Sequence, residues 1–217
     1  GYPWAKDLVH VPDGTVSING TKLATRTGNV VLLKDLFHEA IDKVRAIIEE
    51  KNPALENKDK VAEEVGVGAI VFYYLSNNRN RDINFMMEDA LSFEGNTGPY
   101  AQYTYARTCS VLSKSGMDIG GNVSLPDTLR TEEFALIKIL GLFGEKTQQA
   151  LAEYEPAVIT RYILDVCAAF NRFYHDCQIL SAQDQTTRAF RVSLTAATKT
   201  VLGNAFDLIC MKKPEKI

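Results

Sequence analysis

Phe93-Glu94-Gly95-Asn96-Thr97-Gly98-Pro99-Tyr100-Ala101-Gln102-Tyr103-Thr104-Tyr105-Ala106-Arg107 is the stretch on which the reading of this chain depends. It opens with turn chemistry. Two glycines tolerate backbone angles that other residues avoid, and Pro99 suits the first turn of a helix, where its missing N–H leaves no bond unmade. The residues from Pro99 to about Ser115 predict a helix. On it, Tyr100, Tyr103 and Arg107 recur at intervals of three and four and therefore share a face. Two phenol rings and a guanidinium in one stripe have two readings. One is a core helix whose tyrosines point their hydroxyls outward. The other is a surface that stacks on, and hydrogen-bonds to, a planar anionic polymer such as single-stranded RNA.

Upstream of this stretch, Leu8-Val9-His10-Val11 and Thr15-Val16-Ser17-Ile18 read as extended segments, separated and followed by the turns Pro12-Asp13-Gly14 and Asn19-Gly20. The glycine-bounded loop from Gly20 to Gly28 carries Lys22 and Arg26 with no nearby acid. Such a loop is either a solvated basic turn or a mobile arm that closes cations on phosphates. Leu33 to Lys51 predicts an amphipathic helix with Leu33, Phe37, Ala40, Val44 and Ile47 on one face, ended by Asn52-Pro53. A second helix, Lys58 to about Asn77, puts Val61, Val65, Gly68, Phe72 and Leu75 on one stripe. Gly66 and Gly68 weaken it intrinsically, which predicts close approach of a neighbouring backbone. Arg79 and Arg81 occupy a polar turn, as exposed cations or as phosphate contacts, before the short extended piece Ile83-Asn84-Phe85.

Downstream, Gly116 to Pro126 reads as a loop and everything later as helix. Helices are expected from Thr131 to near Gly144, through Ala150 to Tyr154, from Glu155-Pro156 to about Cys177, and from about Thr187 to Met211. The first of these has Phe134, Ile137, Leu140 and Leu142 apolar. The long third one has two adjacent apolar stripes, one through Val158, Tyr162 and Phe173, the other through Ile159, Ile163 and Tyr174, which implies burial between other helices. In the last, Phe190, Leu194, Ala197, Val201 and Leu208 are expected to face inward. The second half is therefore predicted to be a bundle of about five helices.

Apolar and charged fractions of 46% and 24% are ordinary for a globular chain, which disfavours disorder and membrane spanning alike. The first residues lack the basic start and apolar segment of a signal peptide and begin in mid-pattern, as a fragment would. Four cysteines without close metal-type spacing predict reduced, mostly buried thiols, no metal site and a cytoplasmic setting. A net charge of −3 argues against a wholly basic nucleic-acid binder. Residues 1–99, however, hold 11 Lys and Arg against 15 Asp and Glu, and residues 100–217 hold 13 against 12, so the second half offers an anion the more hospitable surface.

Three segments, in this order, resemble the C-terminal half of arginyl-tRNA synthetase, a class I aminoacyl-tRNA synthetase with a DALR-type anticodon-binding domain. The first is Leu8-Val9-His10-Val11 followed by Gly20 to Val31, similar to the strand and signature loop that close the ATP site. The second is Gly66-Val67-Gly68-Ala69-Ile70, then Asp82-Ile83-Asn84-Phe85, then Leu91 to Tyr103 with Arg107, and it is the most specific. The third comprises Glu155-Pro156, Phe170-Asn171-Arg172-Phe173-Tyr174, Arg191-Val192-Ser193-Leu194 and Pro214-Glu215-Lys216-Ile217. The matches cover nearly the whole chain, and their order and separation strengthen one another.

The resemblance implies a mainly α fold: a small α/β remnant of the class I Rossmann catalytic core with its signature loop in residues 1–96, then an all-α anticodon-binding helical bundle in residues 97–217. It implies that Lys22, Thr25 and Arg26 lie in the loop closing over the ATP phosphates. Here Lys22 keeps the first lysine of the class I Lys-Met-Ser-Lys-Ser pattern, while Leu23, Ala24, Thr25 and Arg26 stand in the other four places. It further implies that Tyr103, Arg107, Tyr174, Gln178 and Arg191 face the tRNA anticodon region, with Gln178 standing where some relatives have an aromatic residue and Arg191 serving as a phosphate contact or a bridge between helices. The substrates implied are arginine, its tRNA, and ATP with Mg2+; no permanent cofactor and a monomer are expected. The His-Ile-Gly-His-type motif and the arginine pocket of the family are not in these residues, so the fragment is expected to be catalytically incomplete. The alternative reading is a non-catalytic helical RNA-binding or protein-interaction module of synthetase ancestry. A cysteinyl enzyme of the same class is disfavoured, because its zinc-type Cys/His ligands are not visible here.

Overall fold

The computed structural model of the chain describes residues 1–22, 31–117 and 123–217. A 3-10 turn at Pro3–Asp7 is followed by strands β1 (Val16–Ile18) and β2 (Thr21–Lys22), and helices α1 (Leu33–Lys51) and α2 (Lys58–Leu75). Strand β3 (Ile83–Phe85) and the short helix α3 (Met87–Leu91) then lead to α4 (Gly98–Ser115), α5 (Thr131–Gly141), α6 (Phe143–Glu153), α7 (Ala157–Asp176) and α8 (Gln185–Leu208). The sheet order is β2-β1-β3, with β1 antiparallel to β2 and parallel to β3 in the register Val16 to Ile83 and Ile18 to Phe85. Mainly helical, with a small sheet at the start, is thus the observed class, and α4 to α8 are the five expected helices.

Leu8 to Val11 is not a strand. It forms no ladder with β1, β2 or β3, and Leu8, Val9 and Val11 are exposed. The next segment is held instead through Gly14, whose N–H donates to the Arg79 carbonyl at 2.7 Å. Arg79 is neither an exposed turn cation nor poised for phosphate. Its guanidinium donates to the Tyr154 and Glu153 carbonyls at 2.9 and 3.2 Å, satisfying carbonyls freed at the C-terminal end of α6.

Three clusters form the core. One joins the sheet to α1, α2 and α3 through Val44, Val65 and Phe85; one joins α4, α7 and α8 through Tyr105, Tyr162 and Phe206; the third joins α5, α7 and α8 through Leu136, Phe170 and Phe190. The inward face of α8 is in part rotated from expectation: Phe190 and Leu194 are buried as expected, but Ala197 and Leu208 are exposed while Thr198, Leu202, Ala205 and Phe206 are buried. On α5 the apolar Phe134 and Ile137 are exposed while Glu133 and Leu136 are buried. Threonines in helices can return their hydroxyls to their own backbone, as Thr195 and Thr198 do to Arg191 and Leu194, so these two side chains are buried with their hydroxyl donors satisfied.

Burial pushes the Cys167 thiol up to about 12 and raises Cys109 and Cys177 as well, so these are inert packing groups; Cys210 alone is exposed.

The glycines of α2 set how near its neighbours come. A Cβ on Gly66 would stand 2.9 Å from the Ile41 nitrogen of α1, and one on Gly98 would stand 2.9 Å from the Gly68 carbonyl oxygen. Gly68 itself faces the side chain of Gln102 rather than a backbone. Ala in place of Gly66 would gain ~1 kcal/mol of helix propensity but must force two packed backbones apart at a cost of about 1–3 kcal/mol, so Gly66→Ala is expected to lower stability by roughly 1 kcal/mol in urea unfolding. The buried Gly203 of α8 has its nearest neighbour at 3.5 Å, an ordinary contact. Gly203→Ala is therefore expected to raise stability by about 0.4–1 kcal/mol in the same assay.

Candidate nucleic-acid interface

Helix α4 begins as its sequence dictates. Thr97 is the N-cap, its hydroxyl oxygen accepting from the Tyr100 N–H at 3.2 Å, and Pro99 lies in the first turn, where no donor is missed. That start fixes which way the helix faces. Ala101, Gln102, Thr104, Tyr105 and Thr108 are buried, Tyr103 and Ser110 are exposed, and Arg107 is half-buried between them. Tyr105 packs against Phe206, and the Tyr100 hydroxyl accepts from Asn171 at 2.9 Å, so both serve the bundle.

Tyr103 and Arg107 meet Tyr174 of α7. The Arg107 guanidinium carbon sits 5.0 Å from the Tyr103 ring centroid and 4.9 Å from that of Tyr174. A cation between two aromatic faces is held by their quadrupoles, each contact worth ~0.5–2 kcal/mol according to exposure. Arg107 Nη1 also donates to Asn171 Oδ1 at 2.5 Å, and the Asn171 amide nitrogen is in turn held by Tyr100 and Thr104. Among the described residues the bond to Asn171 is the one hydrogen bond of the guanidinium, so donors remain on it for a ligand. Tyr103 and Tyr174 are 45% and 44% exposed, so each keeps ring surface free for stacking.

This trio lines a groove of 580 Å³ whose other walls are Asn52 and Leu55 at the α1–α2 junction, the α4 residues Ser110 and Lys114, and Lys216 and Ile217 of the C-terminal segment. That segment is fixed. Gln102 Nε2 donates to the carbonyls of Lys212 and Glu64 at 3.0 Å, Lys213 pairs with Asp207, and Lys199 pairs with Glu215. A larger hollow of 690 Å³ between the sheet and α1 and α2 is lined mainly by apolar side chains such as Ile18, Phe37 and Phe85, and it lacks the convergent polar groups that orient a ligand.

Gln178 and Arg191 do not line the groove. Gln178 is exposed beyond the end of α7, and its carbonyl accepts from Arg191 Nη1 at 2.9 Å. Arg191 Nε pairs with Glu133 Oε1 at 2.6 Å, with side chains 11% and 1% exposed, while Glu133 Oε2 accepts from the Arg130 N–H at 2.7 Å. Arg191 is thus a bridge from α8 to the N-terminus of α5. Lys22 ends β2, and Thr25 and Arg26 lie outside the described residues. Asn52, Ser110, Lys114 and Asn171 escaped the sequence reading. Ser110 and Lys114 had a signal, since they continue the Tyr103 and Arg107 stripe at steps of three and four; Asn171 stands inside the Phe170 to Tyr174 segment of the resemblance without a role assigned to it, and Asn52 had no signal before the helices were packed.

The architecture is thus a small sheet with two long helices, joined to a five-helix bundle that bears an aromatic and cationic groove. Residues 101–217 match the DALR anticodon binding domain, and residues 1–87 match the catalytic domain of class I tRNA synthetases (R). The chain belongs to the DALR anticodon binding domain family. It is 43% identical over 217 residues to an arginine–tRNA ligase of Clostridium botulinum type E3 and 46% identical over 218 residues to that of Clostridium perfringens. All of this chain is covered in both cases, but it spans only 38% and 39% of those relatives. Among solved structures, the Thermus thermophilus arginyl-tRNA synthetase superposes with a TM-score of 0.86 at 33% identity, over 96% of this chain and 35% of that one. The Plasmodium falciparum arginyl-tRNA synthetase gives 0.80 at 25% identity, with the same shares of the two chains covered.

Truncating Arg191 would strand the Glu133 carboxylate in the core. Arg191→Ala is expected to destabilise the fold by about 3–5 kcal/mol in denaturant unfolding.

Proposed function

We propose that this chain is the C-terminal portion of an enzyme that ligates arginine to its tRNA, and that it supplies the anticodon-loop contact. The observation that carries this reading is the Arg107 guanidinium clasped by two half-exposed tyrosines at the edge of an open groove. In an anticodon loop the bases are unstacked and present both faces. Tyr103 and Tyr174 offer planes for them, and the remaining Arg107 donors suit a phosphate or a base edge. Asn171 acts through Arg107, because its amide holds the guanidinium in place between the rings.

Within the whole enzyme, residues 1–96 form the end of the catalytic domain and residues 97–217 the anticodon-binding domain. Lys22, Thr25 and Arg26 belong to the loop that meets the phosphates of ATP, with Mg2+ carried on ATP as substrate. The enzyme works as a cytoplasmic monomer; no helix among the described residues is long and apolar enough to cross a membrane.

Binding of a fluorescent anticodon stem-loop of arginine tRNA, followed by anisotropy at stated salt, tests the interface. Tyr103→Ala and Arg107→Ala are each expected to weaken binding by about 1–3 kcal/mol, and Asn171→Ala by less, with far-UV circular dichroism unchanged. Unaltered affinity in folded Tyr103 and Arg107 variants would remove them from the interface. The histidines of the chain, His10, His38 and His175, form no paired-histidine motif. The 217-residue chain alone is accordingly expected to show no ATP–pyrophosphate exchange above a variant with Lys22 and Arg26 replaced.

A further inference from the structure

The groove extends well past the tyrosine–arginine cluster. Tyr103, Arg107, Ser110 and Lys114 form one stripe along α4, and from Tyr103 to Lys114 the helix advances ~16 Å at about 1.5 Å per residue. That is several times the roughly 3.4 Å rise of one stacked nucleotide, so the groove has room for a run of nucleotides rather than a single base. Charge is disposed to match. Among the described residues that line the groove, Glu215 supplies the one side-chain carboxylate and is engaged by Lys199 at 3.0 Å, whereas Lys114 and Lys216 have no acidic side-chain partner. Both cations stand on fixed backbone. Lys114 is in the last turn of α4, and Lys216 follows a segment tied down by Gln102, Asp207 and Lys199 and precedes Ile217, whose carbonyl accepts from Asn52 at 3.4 Å.

We propose that Lys114 and Lys216 form a second, phosphate-binding end of the groove, so that the site holds a single-stranded RNA run by its bases at Tyr103, Arg107 and Tyr174 and by its backbone at the two lysines. This rests on the RNA-binding reading above. A point charge on a flexible stem recognises phosphate without reading a base. The lysine end therefore adds affinity and salt dependence, and the tyrosine end adds any preference among bases.

The test is the salt dependence of anticodon stem-loop affinity for the 217-residue chain and for Lys114→Ala, Lys216→Ala, the double variant and Tyr103→Ala. Each lysine removal should make the slope of log affinity against log salt shallower by about 0.7, with the same fractional loss for stem-loops of altered anticodon sequence. Lys114→Arg and Lys216→Arg should keep the slope. Lys114 also sits at the negative end of the α4 dipole, but loss of that favourable contact would lower stability without moving the slope. Slopes unchanged in the double variant, with Tyr103→Ala still weakening binding, would overturn the lysine end and leave the RNA reading standing. No measurable binding by the unmodified chain would overturn both.

Discussion

The approach of α4 to α2 is the constraint from which the interface follows. Gly98 brings the first turn of α4 against the Gly68 carbonyl and Phe72, at distances where any side chain on Gly98 would collide. Next to it, Gln102 is wholly buried, and its amide nitrogen is shared between the Glu64 carbonyl of α2 and the Lys212 carbonyl of the C-terminal segment. A buried amide donor left without acceptors costs about 1–3 kcal/mol, so these bonds tie three segments to one side chain. Because that face of α4 is committed to the interior, the opposite face, with Tyr103, Arg107 and Ser110, is turned to solvent. The same bonds carry the C-terminal segment past it and make the far wall of the groove.

Preorganisation is what the packing contributes to the interface. An arginine on a bare helix surface samples many rotamers, and ordering it on binding costs about 0.5–1.5 kcal/mol. Here the guanidinium is already ordered by two rings and by Asn171, which is itself oriented by Tyr100 and Thr104. Residues given to packing thus support the exposed ones. The Tyr100 hydroxyl holds the amide that holds the cation.

A second arginine shows how similar sequence signals part company in three dimensions. Arg191 and Arg107 are both helical arginines in segments that resemble tRNA-facing parts of a synthetase. Arg191, however, points at Glu133, a buried carboxylate that also caps α5 through the Arg130 N–H. A carboxylate with both oxygens engaged in the core requires its cation, and Arg191 is therefore held inside the bundle. Arg79 meets the same fate for another reason, since the carbonyls at the end of α6 need donors.

The sequence by itself determined the helices and their order, because capping residues, glycine and proline punctuation, and apolar period are local. Leu33–Lys51 forms a helix with the bounds read from sequence, and the start of α4 lies within one residue of the expected Pro99. It also determined the family, through three motifs in order, and it singled out Tyr103, Arg107 and Tyr174. Periodicity did not determine which way α5 and α8 face. Threonines that bond their own backbone, and a glutamate paired with an arginine, can be buried where a hydrophobic count would place them outside. Only the tertiary structure decided that Arg107 lies between two rings from different helices, that Arg191 is a bridge, and that Asn52, Lys114 and Lys216 share one groove. Those are relations between residues as many as 165 positions apart, as in the Asn52 bond to Ile217. They exist only once close helix packing has brought the backbones together.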